Sequence, residues 1–331
     1  MDVKQNKWLA VVNVFAASRK AGSIWKKAAV KLENAGVDYR ARFTGGKYNA
    51  AELSRVAASE GYRNFIAVGG DGTIHDVLNG IAEYVFGNAS DGARLSDFTL
   101  AVIPVGSGND WVKSAGAART VDSAVELIKN RYVGKQDVVK VSIFESSAEA
   151  VHGANPVVES YMANIAGVGL DARVCEIVNR KKERGYRGKQ LYVSALAYCI
   201  GHRVPVRAKV ICDGEEVFYG KYLSMAFGIG RFSGGGMRQT SLALMDDGLL
   251  DVVVIPDISL WTIAKKVPHL FTGTFHEVDV ITQARCRSVL VLPESGSDAE
   301  PVEVDGEVIG RAPVRMDLLE DQLNIVISEK V

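Results

Sequence analysis

The stretch Asn64-Phe65-Ile66-Ala67-Val68-Gly69-Gly70-Asp71-Gly72-Thr73 decides the fold of the first part of this chain. Asn64–Val68 reads as a short strand that runs straight into a glycine turn. A helix is predicted next over Thr73–Phe86, and one face of it is apolar: Ile74, Val77, Leu78 and Ile81. Glycines at such a turn let backbone N–H groups approach a phosphate, and the positive end of the following helix attracts the anion. A tight turn with a helix cap could use the same residues, so this turn alone is weak evidence.

Strands and helices alternate on both sides of the turn. The predicted strands are Trp8–Val14, Val37–Phe43, Asn64–Val68 and Leu100–Ile103. Three further helices are predicted. The first begins at about Ile24 behind a Ser23 cap and ends before Gly36, the second covers Ala50–Glu60 behind an Asn49 cap, and the third covers Val121–Asn130. Repeated β-α units predict a parallel sheet with helices on both faces. We therefore expect a nucleotide-binding α/β domain over residues 1–138.

The rest of the chain has a different pattern of predicted secondary structure. Strand-like segments dominate it: Val138–Phe144, Val157–Asn164, Val206–Cys212, Val217–Ala226, Leu249–Ile255 and Ser288–Leu292. Helix is predicted from Arg173 to about His202. This pattern predicts a mostly antiparallel β-sandwich domain over residues 139–316, and the segment 317–331 is expected to return to the first domain.

Composition narrows the classes of function. Lys plus Arg and Asp plus Glu both number 39 among 331 residues, which argues against a uniformly basic nucleic-acid binder. The cysteines at 175, 199, 212 and 286 form no close pair, a pattern that suits a reducing cytoplasm rather than a zinc site or a disulfide frame. No apolar run reaches the roughly 18 residues needed to span a bilayer, so any contact with the inner membrane face is expected to be peripheral. The oligomeric state stays open.

A second glycine-rich loop, Pro104-Val105-Gly106-Ser107-Gly108-Asn109-Asp110, follows the fourth predicted strand. Ligands of open α/β sheets bind at the carboxyl ends of the strands, where both loops fall. Each loop carries an aspartate, Asp71 or Asp110. A bare carboxylate would repel a phosphate, so Asp71 makes sense if it holds a magnesium ion.

These motifs in this order resemble the diacylglycerol kinase catalytic domain family, especially its soluble bacterial lipid kinases. Four later segments agree with the family: Asn164–Asp171, Gly234–Met237, Asp246–Asp251 and Val304–Glu307. The resemblance spans nearly the whole chain. It implies a Rossmann-like, phosphofructokinase-like first domain, a β-sandwich second domain and an active site in the cleft between them. It also implies transfer of phosphate from ATP to a lipid alcohol at the membrane surface.

The family also implies roles for particular residues. The ATP site would comprise Asn13, Thr44, Gly69, Gly70, Asp71, Gly72, Thr73, Ile74, His75, Asp76, Gly106, Ser107, Asn109 and Asp110. His75 is expected on the exposed side of its helix. The catalytic Mg2+ would be positioned by Asp71, Asp110 and Asp137, and a second, structural Mg2+ by Leu244, Asp247 and Leu249. Glu307 would accept the proton of the lipid hydroxyl, with Asp305 beside it raising its pKa.

The chain departs from the family pattern at four places. Asn13-Val14-Phe15-Ala16-Ala17 stands where Asn-Pro-x-Ser-Gly is usual, and Asp76 stands where Glu is usual. Ser241 replaces a common Pro, and Gly228 replaces a typical Asn. None of these changes touches Asp71, Asp305 or Glu307.

Several alternatives stay open at this stage. NAD kinases and phosphofructokinases share a related Gly-Gly-Asp-Gly turn, and the acceptor could instead be a sphingoid base or phosphatidylglycerol. A non-catalytic nucleotide-binding regulator is a further alternative. A basic cluster stands between Arg180 and Lys189: Arg180, Lys181, Lys182, Arg184, Arg187 and Lys189. This cluster would contact anionic lipid headgroups or simply form a solvated helix end.

Overall fold

A computed structural model of the chain describes residues 4, 6–16, 21–45, 49–87, 91–106, 108–186, 189–202, 205–294 and 299–328, without the side chains of 182, 183, 189 and 190. The chain forms two compact units. The first contains Met1–Val138 and Leu319–Val331, and the second contains Val139–Leu318. The predicted division falls at 138 and 316, and that of the structure at 138 and 318.

The described elements follow one another in two groups. In the first unit they are β1 (Trp8–Val12), α1 (Ala21–Asn34), β2 (Tyr39–Phe43), α2 (Ala50–Ser59), β3 (Asn64–Gly69), α3 (Asp71–Phe86), β4 (Thr99–Pro104), α4 (Asp110–Ala115), α5 (Val121–Asn130) and β5 (Val133–Gln136). In the second unit they are β6 (Val139–Ile143), α6 (Ser147–His152), β7 (Val158–Met162), β8 (Ile165–Gly169), α7 (Leu170–Glu183), α8 (Lys189–Gly201), β9 (Val206–Cys212), β10 (Glu215–Gly228), β11 (Leu250–Pro256), α9 (Leu260–Thr272), β12 (Thr282–Cys286), β13 (Ser288–Pro293), β14 (Pro301–Val304), β15 (Glu307–Arg311) and β16 (Val314–Leu318). The last strand, β17 (Leu323–Val326), belongs to the first unit.

The first unit is built on a sheet whose described strands run in the order β2-β1-β3-β4-β17-β5. Neighbouring strands from β2 to β17 are parallel, and β5 is antiparallel to β17. Both β1 and β3 are buried along their whole length, because helices cover both faces of the sheet. This arrangement confirms the predicted parallel α/β domain.

Two helix starts differ from the sequence prediction. Helix α1 begins at Ala21, so Ser23 lies inside it and does not cap it. Helix α3 begins at Asp71, two residues before the predicted start, with Gly70 as its N-terminal cap. The first turn of α3 therefore includes part of the glycine motif. The predicted cap of α2 is confirmed, because Asn49 Oδ1 accepts a hydrogen bond from the Glu52 N–H at 2.8 Å.

The C-terminal strand β17 fills the position between β4 and β5. It is parallel to β4 and pairs Asn324 with Thr99. The Asn324 side chain also donates hydrogen bonds to the carbonyls of Ser96 at 2.6 Å and Phe98 at 3.0 Å. The last part of the chain therefore completes the sheet that begins with β1.

The second unit is an antiparallel sheet that folds over one core. Its described strands run in the order β15-β14-β8-β10-β9-β13-β16-β6-β7, and β11 pairs with both β10 and β12. Val302 and Val304 of β14 share a core with Val139 and Val141 of β6, although the two strands lie far apart in that order. The sheet must therefore curl back on itself, which confirms the predicted sandwich.

The helical stretch predicted from Arg173 to about His202 is confirmed, with an interruption in the middle. The structure has two helices there, α7 and α8, and the chain between them bends at Gly185, whose φ of 92° disfavours other residues. Strands β8, β12, β14, β15 and β16 were absent from the prediction. Among the described residues, no helix is long and apolar enough to span a membrane.

Candidate active site

The glycine turn joins β3 to α3 in very little space. A Cβ atom on Gly69 would collide with the Thr73 side chain, so that position requires glycine. The Gly70 carbonyl accepts hydrogen bonds from the N–H groups of Thr73 at 2.9 Å and Ile74 at 3.2 Å. The turn is thus closed by the first turn of α3, whose N-terminal end carries partial positive charge.

The second glycine loop lies directly against the first. The Val105 N–H donates to the Gly69 carbonyl at 2.8 Å. A Cβ on Gly106 would stand 3.2 Å from the Gly70 Cα, so the two backbones approach closely. Asn109 adopts a left-handed φ of 49° and donates through Nδ2 to the Gly106 carbonyl at 2.8 Å. Ser107 lies outside the described residues.

Asn109 also carries a buried acceptor. Its Oδ1 atom receives no hydrogen bond from any residue that the structure describes. An orphaned acceptor in a buried loop costs free energy unless a ligand or water satisfies it. This observation fits a loop built to meet a bound polar molecule.

Three predicted nucleotide-site residues form one hydrogen-bonded chain. Asn13, just after β1, donates through Nδ2 to Thr73 Oγ1 at 3.0 Å. The Thr44 hydroxyl lies 3.5 Å from Asn13 Oδ1, which also accepts from the Phe15 N–H at 3.0 Å. The Asn13 side chain therefore links the ends of β1 and β2 to the glycine turn, although the residues after it depart from the family pattern. Ala17 lies outside the described residues.

Two of the predicted metal-site carboxylates converge beside Gly108. A Cβ placed on Gly108 would lie 3.4 Å from Asp71 Oδ2 and 3.8 Å from Asp110 Oδ2. The other oxygen of each group is held in place: Asp71 Oδ1 accepts from the Trp111 N–H at 2.9 Å, and Asp110 Oδ1 from Lys113 Nζ at 2.8 Å. Two carboxylates that lie near one point, each with one oxygen held, are the type of ligand that a magnesium ion takes, since Mg2+ usually binds one or two carboxylates and completes its shell with phosphate oxygens and water.

The third carboxylate, Asp137, is buried at the end of β5. Its Oδ1 atom accepts a hydrogen bond at 2.8 Å from Gln322 Nε2, on the segment that leads into β17. Within the described part of the chain, no group of three or more His, Cys, Asp or Glu side chains is arranged to hold a metal ion. A role for Asp137 beside Asp71 and Asp110 stays a prediction.

His75 does not lie where the sequence predicted. It is buried, and Asn79 Nδ2 lies 3.4 Å from its ring nitrogens and donates to its carbonyl at 2.9 Å. The prediction failed because α3 is buried around most of its first three turns rather than on one face. Asp76, one residue further, is partly exposed.

In the second unit, Asp305-Gly306-Glu307 forms the tight turn between β14 and β15. Asp305 has a φ of 52° and Gly306 a φ of 91°, the two positive values of a type I′ hairpin turn. The Asp305 carboxylate accepts three backbone hydrogen bonds, from Ala163 at 2.8 Å, Asn164 at 2.9 Å and Ile165 at 3.2 Å. Asp305 thus ties this turn to the connection between β7 and β8.

Glu307 projects from the same turn and is exposed. Asn179 of α7 donates through Nδ2 to the Gly306 carbonyl at 3.1 Å and lies 3.4 Å from Glu307 Oε2. The turn is therefore fixed on two sides, by Asp305 and by Asn179. A role for Glu307 as the proton acceptor stays a prediction.

A buried acid beneath this turn was missed by sequence reasoning. Glu303 Oε2 accepts from the Gly306 N–H at 2.8 Å, and its other oxygen packs against Gly167 beside the Asp171 side chain. Burial raises the pKa of Glu303 to about 8, and the charges of Asp171, Asp305 and Glu307 add to the rise. Local sequence carries no signal of this burial, because alternation along β14 puts Glu303 on the opposite face from Val302 and Val304, and all four residues of the strand are buried.

Asp171 is the second buried acid. Burial raises its pKa as well, while hydrogen bonds from Gln239 Nε2 at 2.5 Å and Ser224 Oγ at 3.1 Å oppose that rise. Gln239 is itself oriented by Ser233, whose hydroxyl donates to its Oε1 at 2.9 Å. These polar groups form a connected network in an otherwise apolar region.

That network lies at the wall of an apolar cavity of about 280 Å³ within the second unit. Asp171, Ser224 and Gln239 line it together with leucine, isoleucine, valine and phenylalanine side chains, many of them from α8 and α9. Ligand pockets of this kind pair apolar walls with a few polar groups that orient the ligand.

At the predicted second magnesium site, the Asp247 carboxylate pairs with an arginine side chain. Asp247 is ion-paired with Arg285, and its Oδ1 accepts from the Leu249 N–H at 3.1 Å. Arg285 also contacts Asp251 at 3.1 Å. Arg285 lies against the Asp247 carboxylate, and a metal bound by Leu244, Asp247 and Leu249 stays a prediction.

Comparisons with known proteins agree with this architecture. The family model "Diacylglycerol kinase catalytic domain" matches residues 7–141, and "YegS C-terminal NAD kinase beta sandwich-like domain" matches residues 164–327. Residues 7–141 therefore belong to the diacylglycerol kinase catalytic domain family, and residues 164–327 to the YegS C-terminal domain family.

Individual relatives are distant. A protein named "Probable lipid kinase YegS-like" from Xanthomonas euvesicatoria pv. vesicatoria is 26% identical over 234 residues, which is 70% of this chain and 69% of that protein. A protein named "Diacylglycerol kinase" from Mycobacterium tuberculosis is 24% identical over 265 residues, 80% of this chain and 78% of its own. A crystal structure described as a diacylglycerol kinase from Bacillus anthracis str. Sterne superposes with a TM-score of 0.70 at 19% identity, over 99% of this chain and 98% of that one. The last comparison shows the shared fold.

Proposed function

We propose that this chain transfers the γ-phosphoryl group of ATP to the hydroxyl of a lipid such as diacylglycerol. Family membership supports phosphoryl transfer, and the apolar cavity of the second unit is the observation that favours a lipid as the acceptor. A cavity walled by aliphatic and aromatic side chains suits an acyl chain and disfavours NAD or a sugar phosphate, whose polar groups would lose their hydration there. The hydrogen-bonded group of Asp171, Ser224 and Gln239 would meet the polar end of the lipid.

On the nucleotide side, the two glycine loops would hold the phosphates. Backbone N–H groups of these loops would bind them, and the start of α3 supplies a partial positive charge. Asn13 and Thr73 hold the ends of β1 and β3 in register around this position. Asp71 and Asp110 would hold the magnesium ion, which when bound neutralises the charge of the phosphates.

On the acceptor side, Glu307 would take the proton of the lipid hydroxyl. The hydroxyl oxygen then bonds to the γ-phosphorus, the bond from that phosphorus to the bridging oxygen breaks, and ADP leaves. Asp305 would act by position, since its carboxylate is occupied by three backbone N–H groups that fix the turn. A rigid base in the right place lowers the entropic part of the barrier.

Incubation with labelled ATP and magnesium tests the proposal. The acceptors are dioctanoylglycerol, sphingosine, ceramide, phosphatidylglycerol, NAD and fructose 6-phosphate under identical conditions, with products resolved by mass. We expect label in a lipid product only. Label in NAD or in the sugar phosphate, or ATP binding without any product, would contradict a lipid kinase.

Asp71→Asn gives the matched test of the metal role. The amide keeps an acceptor for the Trp111 N–H, so the fold should persist, while loss of the charge should lower turnover by about 10³-fold. Asp122→Asn, on an exposed part of α5, is the control and should retain full activity. Equal activity of the two variants would rule out the assignment of Asp71.

A further inference from the structure

Helix α9 carries an apolar stripe on its outer surface. Six of its residues recur at helical spacing and are all exposed: Leu260, Trp261, Ala264, Val267, Pro268 and Phe271. None of the residues of this helix is buried. An exposed row of this length is unusual, because soluble proteins rarely leave large apolar side chains contiguous on one surface.

The opposite side of the same helix belongs to the apolar cavity. Ile263, Lys266 and Leu270 line it, and each is only partly exposed. Val267 and Phe271 both line the cavity and belong to the exposed stripe, so they stand at its opening. Val193 of α8 is likewise exposed and lines the cavity. The apolar surface therefore continues from the outside of α9 into the cavity.

The charged residues of the helix itself are basic. Helix α9 contains Lys265 and Lys266 and no acidic residue. Lys265 Nζ lies 4.9 Å from the centre of the Trp261 ring, and Lys266 pairs with Asp279 at 2.8 Å. Aromatic and aliphatic residues bordered by lysines are the composition of helices that lie in a membrane interface.

We infer that α9 docks on the surface of an anionic lipid bilayer, with its stripe of Leu260, Trp261, Ala264, Val267, Pro268 and Phe271 inserted among the headgroups. This inference deepens the proposed function and rests on it for its purpose, since the cavity opening at Val267 and Phe271 would then face the lipid substrate. At 13 residues the helix is too short to span a bilayer, whose core needs roughly 20. Lying in the plane of the interface is the geometry that remains.

The fluorescence of Trp261 can report this insertion. It has four tryptophans, of which Trp8, Trp25 and Trp111 are 3%, 6% and 1% exposed, whereas Trp261 is 70% exposed. Vesicles of phosphatidylcholine with phosphatidylglycerol, added without ATP, should shift the emission of Trp261 to the blue. Phospholipids brominated on the acyl chain should quench it, and Trp261→Phe should remove both effects. Unchanged emission on vesicles that bind the protein would overturn the inference.

A charge-introducing variant tests the energetic contribution. In Leu260→Asp/Trp261→Asp, loss of two apolar side chains should lower vesicle binding, measured by sedimentation of sucrose-loaded vesicles, by roughly tenfold or more. Neither residue lines the cavity, so turnover of soluble dioctanoylglycerol should not change. Val151→Asp/Val157→Asp adds the same charges at exposed apolar positions elsewhere in the unit and is the matched control. Equal vesicle binding by both variants would overturn the inference.

The two proposals fail in different ways. A protein that binds vesicles but phosphorylates no lipid contradicts the proposed function and leaves the docking surface intact. A protein that phosphorylates soluble dioctanoylglycerol but ignores vesicles contradicts docking alone. If sedimentation velocity shows an oligomer that Leu260→Asp/Trp261→Asp converts to a monomer, the stripe is an interface between copies, and membrane docking is overturned.

Discussion

Glu303→Gln should change how the stability of the protein depends on pH. Glu303 is buried beneath the turn of Asp305 and Glu307, and its pKa rises from an ordinary 4.5 to about 8. At neutral pH its carboxyl is therefore protonated in the folded protein and ionised in the unfolded chain. Glutamine imitates the protonated form, because it is neutral and keeps an oxygen for the Gly306 N–H.

The sign of the effect follows from proton binding. A raised pKa in the folded state gives stability that is fully present below pH 4.5 and is lost as the pH rises towards 8. Near pH 5 the variant and the wild type should have similar free energies of unfolding. Between pH 5 and 8 the variant should gain relative stability by up to about 1.4 kcal/mol per pH unit, so roughly 3–4 kcal/mol in all.

The difference in free energy of unfolding is measured by chemical unfolding of both proteins at about pH 5, 6, 7 and 8. The difference between variant and wild type removes pH effects that arise elsewhere in the chain. Glu145→Gln, at an exposed position, serves as the control and should give a difference that does not vary with pH. A Glu303→Gln difference that is flat, or that falls as the pH rises, would refute the reasoning that Glu303 is protonated in the folded state. Asp171 titrates beside it, so the midpoint belongs to the pair rather than to either acid alone.

Two further predictions concern the same turn and the packing of the first unit. Asp305→Ala should lower the free energy of unfolding by about 2–4 kcal/mol, because it leaves three backbone N–H groups without their acceptor. Glu307→Gln should leave the melting temperature unchanged and lower kcat by roughly 10²–10⁴-fold. Calorimetry and turnover measured on both variants check this split; a Glu307→Gln variant with full activity would remove Glu307 as the base. Gly80→Ala should destabilise the first unit by about 1–3 kcal/mol, since its Cβ would collide with the Ala51 carbonyl where α2 and α3 meet. An unchanged unfolding transition would show instead that the two helices can move apart at little cost in free energy.

The nucleotide side of the candidate site was largely predictable from local sequence. Glycines at Gly69 and Gly106 mark backbone turns, and buried parallel strands read as continuous apolar runs, so the positions of both loops follow from short segments. The contact between Gly70 and Gly106 follows from the rule that parallel strands end at the same edge of the sheet. The exposure of His75 was predicted wrongly because burial around a helix depends on what packs against each side of it, and no local pattern contains that information.

The acceptor side depended much more on tertiary structure. Glu303 reads in sequence as one charged residue among others. Its pKa is raised mainly by burial and further by Asp171, which is remote along the chain and comes close only through strand pairing. The apolar cavity likewise combines residues of α8, α9 and several strands.

The amino-acid sequence by itself determined that the first unit has repeated β-α units with glycine loops carrying Asp71 and Asp110, and that its motifs resemble those of the diacylglycerol kinase catalytic domain family. These properties are local, because turn geometry, strand burial and motif order are contained in neighbouring residues. Only the tertiary structure decided that Asp305 is a bridging acceptor rather than an unoccupied acid, that Glu303 is buried, and that α9 has one apolar side on a cavity and another on solvent. Burial and solvent exposure result from contacts between distant segments, which the order of residues along the chain does not display.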